Sequence, residues 1–209
     1  AHMDEKLLYK AFGVDAEYLI DHSWGREPTT IAEIKAYKSK NNSLSSGQVL
    51  FREYNYEEGL LIVKEMVDLL CLDLVDKGLV TDSIFLYVGY SRDTAKSSHG
   101  TSPLTVTTNS VRVITKAFSL LYEKIVNKTA PIRRVNIGFN NVVDEAYEQY
   151  DLFTDPAELE KDRKIQMAVL DIKKKFGKNA IMKGMNLEDA ATTRERNLQI
   201  GGHKSGESD

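Results

Sequence analysis

The chain has 209 residues, of which 42% are hydrophobic and 28% are charged, with 4 prolines and 13 glycines. This composition excludes a disordered, collagenous or disulfide-stapled protein. The longest apolar stretches, such as 84–88, are far shorter than the roughly 20 residues that cross a membrane, and no signal peptide is recognisable, so we expect a cytoplasmic protein. The net charge of -3 argues against a basic coat over the whole surface, so a nucleic-acid site must be local.

The first 42 residues predict a small helical segment and a linker. Residues 1–3, Ala-His-Met before a charged helix start, are interpreted as a vector remnant. Residues 4–28 predict a hairpin of two short helices, the first ending at Gly13 and the second capped by Asp15. Residues 29–42 have little apolar periodicity and are interpreted as a linker with a mildly basic end.

The central part of the chain predicts an α+β fold. Four segments read as strands: 43–51, 83–91, 102–108 and 132–140. One helix begins with the capping box of Asn55 and Glu58 and ends at Gly78, and a second helix covers 110–125. The resulting βαββαβ order is the ferredoxin-like arrangement, a four-stranded sheet with two helices on one face and the other face open for a ligand.

A third helix and a tail follow this domain. Asp155 and Pro156 occupy the preferred cap and first-turn positions of a helix that runs to Gly177. We assign the sheet domain to residues 43–184. Beyond it the apolar periodicity is lost, so residues 185–209 are expected to be largely mobile.

Basic and hydroxyl side chains mark a phosphate-binding surface. Arg92, Lys96, His99, Arg133 and Arg134 lie in predicted loops or at strand edges, interleaved with serines and threonines. Such residues position phosphates and do not read bases. Alternatively, the two adjacent arginines are solvated residues at the end of a strand and bind no phosphate. The aromatic and glycine signature of RNA-recognition sheets is missing, because the nearest candidates lie on the second strand in a different order.

Catalytic and metal chemistry find no support in the residue pattern. The four histidines have no metal-ligand spacing, and the single cysteine, Cys71, is interpreted as core. No Ser-His-Asp set, phosphate loop or Walker lysine is present. We therefore expect this chain to be inactive as an enzyme on its own, without a metal or cofactor.

The segment 149–153 resembles a docking peptide. A glutamine, an acidic residue and an adjacent leucine and phenylalanine are similar to the short peptide by which bacterial DNA-processing proteins bind the β sliding clamp. The residues concerned are Gln149, Asp151, Leu152 and Phe153. In the alternative interpretation, the leucine and phenylalanine pack against the third helix.

Taken in order, several short motifs resemble one protein family. They are Gly-Gln-Val-Leu at 47–50, Gly-Tyr-Ser-Arg at 89–92, Thr-Asn-Ser at 108–110, Arg-Arg-Val-Asn-Ile at 133–137, the segment 149–153, Arg-Asn at 196–197 and Ile-Gly-Gly-His-Lys at 200–204. The chain resembles the C-terminal part of a bacterial Y-family translesion DNA polymerase, in the UmuC-like branch that includes the ImpB/MucB/SamB group.

The resemblance implies a role in lesion bypass, DNA repair and SOS damage tolerance. Residues 4–28 would be the end of the thumb and residues 43–184 the little finger, which grips the template-primer duplex. The implied duplex contacts are Lys38, Lys40, Ser43, Ser45, Arg92, Thr94, Lys96, Thr107, Arg133 and Arg134. The implied partners are primer-template DNA, the β sliding clamp and accessory damage-response proteins, with a cytoplasmic, nucleoid-associated location. The acidic residues that hold Mg²⁺ for nucleotidyl transfer belong to a catalytic palm domain outside this sequence.

Two other functions stay open at this level. A freestanding ferredoxin-like module that binds RNA or another protein, without a polymerase parent, has the same element order. The open sheet could also serve as a dimerisation surface.

Overall fold

The computed structural model describes residues 1–37, 42–147, 156–200 and 203–204. The chain divides into two compact units, Ala1–Asn41 and Asn42–Asp209. Among the described residues, no helix is both long enough and apolar enough to cross a membrane.

The first unit consists of short helices. Helix α1 covers Glu5–Phe12 and α2 covers Ala16–Ser23, which confirms the predicted hairpin elements. Helix α3, Ile31–Ala36, lies in the segment that we interpreted as a linker. It begins at a capping box in which Thr30 accepts a hydrogen bond from the Glu33 backbone N–H, while the Glu33 carboxylate accepts one from the Thr30 backbone N–H.

An antiparallel sheet forms the centre of the second unit. Its strands are β1 Leu44–Tyr54, β2 Leu79–Tyr90, β3 Ser98–Thr108 and β4 Ile132–Asn140, in the lateral order β1-β4-β2-β3. The short β5, Val143–Asp144, pairs with the start of β2. The α+β class and the βαββαβ order along the chain are confirmed. The lateral order differs from the ferredoxin-like sheet, whose first and third strands are central, because here β2 and β4 are central.

Helices α4, Tyr56–Lys77, and α5, Val111–Ile125, pack on one face of the sheet. Helix α4 begins at the predicted capping box and ends at Gly78, which adopts the left-handed conformation with φ of 63°. The core between sheet and helices is made of apolar side chains from all of these elements: Leu50, Ile62, Val63, Met66, Val67, Leu70, Leu74, Ile84, Leu86, Val88, Ile114, Phe118, Tyr122, Val135, Ile137 and Phe139.

The hairpin of β2 and β3 is longer than the apolar alternation predicted. Strand β3 begins at Ser98, because the polar residues 98–101 pair residue by residue with β2, from Val88 opposite Ser98 to Phe85 opposite Thr101. Backbone hydrogen bonds with a neighbouring strand extend β3 where its own side chains give no apolar signal.

Helix α6 and the segment after it pack on the helix layer. Helix α6 covers Pro156–Phe176 as predicted, and Gln166 on it donates to the backbone carbonyl of Asn109. The mobile tail predicted from residue 185 onward is wrong for residues 186–193, where Asn186, Ala190, Thr192 and Thr193 are buried. The short helix α7, Thr193–Arg196, follows. Polar contacts hold this segment, so apolar periodicity could not reveal it.

The Glu65 carboxylate on α4 anchors the segment. Glu65 is 1% exposed. Its Oε1 accepts from the Asn186 side-chain amide at 2.8 Å, and its Oε2 accepts from the Thr192 backbone N–H at 2.8 Å. A buried carboxylate is tolerated only when donors surround it, so these contacts are required for the segment to pack.

We predict that Glu65→Gln lowers the free energy of unfolding by about 2 kcal/mol. The NH₂ group of the new glutamine would face a buried N–H donor of Asn186 or Thr192 in place of an acceptor. Urea unfolding measures the change. Glu123→Gln, which alters an exposed carboxylate on α5, is the matched control and should change stability by at most about 0.5 kcal/mol. Equal effects of the two substitutions would contradict the anchoring role.

A pH dependence follows from the start of α4. The Arg52 guanidinium, bonded to both carboxylate oxygens of Glu58, and the Asn55 backbone N–H hold the pKa of Glu58 below its usual range. The folded-state pKa is lower than the unfolded value, so this contribution to stability is present above the unfolded pKa and is lost as the pH falls through the folded pKa.

We predict that Glu58→Gln lowers the free energy of unfolding by about 1 kcal/mol at neutral pH. The difference from the unsubstituted chain should shrink as the pH falls below about 4. Urea unfolding at several pH values measures it. A difference that is independent of pH would contradict the assigned ion pair.

Candidate nucleic-acid interface

The sheet face opposite α4 and α5 is the candidate site, and we call it the open face. On each strand, every second side chain points away from the core. The open face comprises Ser45, Gly47 and Val49 of β1, Arg134, Asn136, Gly138 and Asn140 of β4, Ser83, Phe85, Tyr87 and Gly89 of β2, and His99, Thr101 and Pro103 of β3.

The strand register arranges these residues in rows across the sheet. Arg134 lies between Val49 of β1 and Gly89 of β2. The next row is Gly47, Asn136, Tyr87 and His99, and the row after it is Ser45, Gly138, Phe85 and Thr101. Neighbouring strands lie about 4.8 Å apart, so each row is a continuous surface, and Arg134 is the cation of the row at one end.

The open face carries no carboxylate among the residues just named, although the whole chain has a net charge of -3. The acidic residues closest to it in sequence flank the sheet. Glu53 lies in the irregular stretch of β1 between the paired residues Val49 and Tyr54, and it accepts from the Ser91 hydroxyl at 2.5 Å. Asp82 accepts from the Asn141 amide at 2.9 Å. The paired rows of the open face therefore hold no carboxylate, which favours an anionic ligand there.

Glycines on the open face leave space for the side chains of neighbouring strands. A Cβ atom at Gly47 would lie 2.5 Å from the Asn136 side-chain oxygen, so this amide occupies the space that a side chain at 47 would fill. Strand β1 is at the edge of the sheet and pairs only with β4 among the described strands. Backbone N–H groups along such an edge are accessible to acceptors such as phosphate oxygens.

A basic loop lies at one end of the face. Arg92, Thr94 and Lys96 are exposed in the connection from β2 to β3. The Thr94 hydroxyl donates to the Ser91 carbonyl at 2.7 Å, and the Ser91 backbone N–H donates to the carbonyl of Pro131, next to the start of β4. These bonds hold the loop at the end of the sheet where the two arginines of β4 lie.

A bulge separates Arg133 from Arg134. Gly89 pairs with Arg134 and Tyr90 pairs with Ile132, so Arg133 is the extra residue of β4. Because of the bulge, Ile132 enters the core while Arg134 lies on the open face. The sequence alone predicted the basic pair and not its separation.

The structure brings only part of the predicted contact set together. Arg92, Thr94, Lys96, Arg133 and Arg134 share one end of the sheet, and Ser45 lies in a middle row. Ser43 precedes β1, and Thr107 lies at the opposite end of β3, where the register with β2 is interrupted. Lys38, Lys40, Gln149, Asp151, Leu152 and Phe153 lie outside the described residues.

Sequence reasoning missed the polar groups beside Arg134. Asn136 and Asn140 occupy the same face as Arg134, and their signal was available as alternate positions on one strand. No group of three or more His, Cys, Asp or Glu side chains in the described ranges could hold a metal ion. Cys71 is buried, and burial raises the pKa of its thiol.

The sheet domain matches the model of a known protein family. Residues 41–152, more than half of the chain, match the impB/mucB/samB family C-terminal domain. The chain belongs to this family. The resemblance to the UmuC-like branch of the Y-family polymerases is thereby confirmed, and the open face lies within the matched domain.

Two curated relatives align along almost the whole chain. A putative UV-damage repair protein, UvrX of Bacillus subtilis (strain 168), is 27% identical over 203 residues, which are 96% of this chain and 47% of the relative. DNA polymerase IV 2 of Halalkalibacterium halodurans is 25% identical over 196 residues, 92% of this chain and 46% of the relative. The chain thus spans about half the length of these proteins.

Solved structures include a Y-family DNA polymerase chimera, Dbh-Dpo4(243-245)-Dbh. It has a TM-score of 0.41 and 15% sequence identity, over 68% of this chain and 39% of that chain.

Proposed function

We propose that the open face binds the phosphate backbone of duplex DNA, as the DNA-gripping region of a lesion-bypass DNA polymerase that acts in DNA repair. The observation that carries this proposal is the distribution of charge. In a chain of net charge -3, the paired rows of the open face hold no carboxylate, and Arg134 lies at the end of the face where the basic loop also lies. Small hydroxyl, amide and glycine residues around the arginine let phosphates approach side chains and backbone N–H groups.

The family assignment supports a polymerase as the longer protein. The relatives include one named as a UV-damage repair protein and one named as a DNA polymerase, and this chain corresponds to about half of each. We infer that nucleotidyl transfer, with its Mg²⁺, belongs to the other half and that this chain binds DNA without polymerising it. Such a protein acts at the nucleoid, with accessory damage-response proteins as further partners.

Clamp docking is the second part of the proposal. Gln149, Asp151, Leu152 and Phe153 form a peptide that recruits the polymerase to the β sliding clamp. The support is the residue pattern, in which an apolar pair fills a pocket and the glutamine bonds beside it. The peptide lies outside the described residues, between β5 and α6.

We predict that Arg134→Ala weakens binding of this chain to a short labelled duplex several-fold at low salt. The slope of the logarithm of the binding constant against the logarithm of the salt concentration should become shallower by about one. Fluorescence anisotropy between about 50 and 200 mM salt measures both quantities. Lys124→Ala is the matched control, since it removes one positive charge from the exposed surface of α5, on the helix layer. It should leave affinity and slope almost unchanged.

Equal losses from the two substitutions would contradict a site on the open face. Sedimentation of the chain with and without duplex separates DNA binding from the alternative of a dimerisation surface. A dimer that forms without DNA and is disrupted by Arg134→Ala would favour the alternative.

For the clamp, we predict that the double substitution Leu152→Ala, Phe153→Ala abolishes binding to purified bacterial β clamp and leaves duplex affinity unchanged. Surface plasmon resonance measures clamp binding. The matched control is Phe176→Ala, Leu187→Ala, which removes an exposed phenylalanine and an exposed leucine from elsewhere in the same unit. Clamp binding that survives the first double substitution would exclude the peptide as the docking site.

A further inference from the structure

Two aromatic residues lie next to glycines on the open face. Phe85 and Tyr87 occupy successive same-face positions of β2, and both side chains are half-buried. Gly138 of β4 is paired with Phe85, and the Phe85 Cδ1 atom lies 3.8 Å from the position of a Cβ atom at Gly138. Tyr87 extends along its own strand, and its Cε1 and hydroxyl oxygen lie 3.3 and 3.4 Å from the Cβ position of Gly89.

Only one of the two glycines makes room for a ring. A Cβ atom at Gly89 would lie 3.3 Å from both the Tyr87 Cε1 and the Arg134 Cβ, so a side chain there would crowd the Tyr87 ring. At Gly138 the nearest atoms are the Ser45 Cβ at 3.4 Å and the Leu44 carbonyl oxygen at 3.5 Å, and Phe85 is an ordinary van der Waals neighbour. Both aromatic side chains are partly exposed on the open face.

An accessible ring is a stacking surface for a nucleic-acid base. Stacking is independent of base identity, because every base has a π-face. Successive same-face residues of a strand are about 7 Å apart, whereas bases in a duplex rise about 3.4 Å per step. The ring spacing therefore suits bases that are separated from one another, and bases within a duplex are already stacked.

Polar groups next to the rings complete a binding site for a nucleotide chain. The Arg134 Cβ lies 3.3 Å from the Cβ position of Gly89, directly beside the Tyr87 ring. Asn136 and His99 are the partners of Tyr87 on the two adjacent strands. A base on Tyr87 would thus have a guanidinium within reach of its phosphate.

We propose that the open face also binds single-stranded DNA, through base stacking on Phe85 and Tyr87 with Arg134 at the adjacent phosphate. This inference rests on the proposed function, since it assumes that the open face is a DNA surface. It adds unpaired template as a ligand class and assigns Phe85 and Tyr87 to binding.

The test compares two oligonucleotides of equal length and charge, oligo-dT and an abasic strand, with the complete 209-residue chain. Fluorescence anisotropy measures both affinities and, in parallel, that for a duplex. We expect oligo-dT to bind at least about fivefold more tightly than the abasic strand, which corresponds to the lower limit for one stacked base. Tyr87→Leu and Phe85→Leu should each reduce this ratio, while Tyr87→Phe restores it.

The leucine variants keep an apolar side chain next to the glycines, and circular dichroism checks that they fold. Phe176→Leu, an exposed aromatic on α6, is the matched control and should leave the ratio unchanged. Equal affinity for oligo-dT and the abasic strand, or a ratio unaffected by the leucine variants, would overturn the stacking proposal. Failure to bind the duplex, with the ratio intact, would instead overturn the duplex-binding function.

Discussion

The position of β4 between β1 and β2 is the constraint on which the rest of the second unit depends. Val135, Ile137 and Phe139 of this strand are fully buried against the helix layer. The alternate residues of the same strand form the centre of the open face. Because β4 pairs on both sides, its polar residues are held by two sets of backbone hydrogen bonds. The cation Arg134 is thereby carried by a strand that pairs with a neighbour on each side, which suits a positioning contact.

Glycines and the placement of acidic residues then define the surface. At Gly47 the Asn136 amide, and at Gly89 the Tyr87 ring, lie close to the position that a side chain would take. The face combines aromatic and polar groups. Acidic residues lie outside its paired rows, so the overall negative charge of the chain does not determine the local potential. This arrangement is compatible with the proposed DNA binding by an acidic protein.

The helix layer is held together differently from the sheet. Its inner side is apolar, while the outer elements attach mainly through polar contacts: Glu65 with the segment 186–193, Ser110 with Asp162 of α6, and Arg163 with Glu145. Elements that are held by hydrogen bonds and ion pairs leave little trace in the spacing of hydrophobic residues along the sequence. Helix α6, with its cap and apolar positions, is therefore predictable from the sequence, whereas the buried segment after it is not.

The α+β class, the order of strands and helices, the basic loop and the family can all be inferred from the amino-acid sequence. These features depend on local signals: capping boxes, alternation, glycine stops and short motifs that each reside within one segment. The sequence does not reveal which strands are neighbours, that the bulge at Arg133 turns Ile132 into the core while Arg134 stays on the open face, or that Tyr87 lies against Gly89. The physical reason is that pairing register joins residues far apart in the chain, such as Phe85 and Gly138, and an apolar alternation specifies a face without specifying the strand beside it.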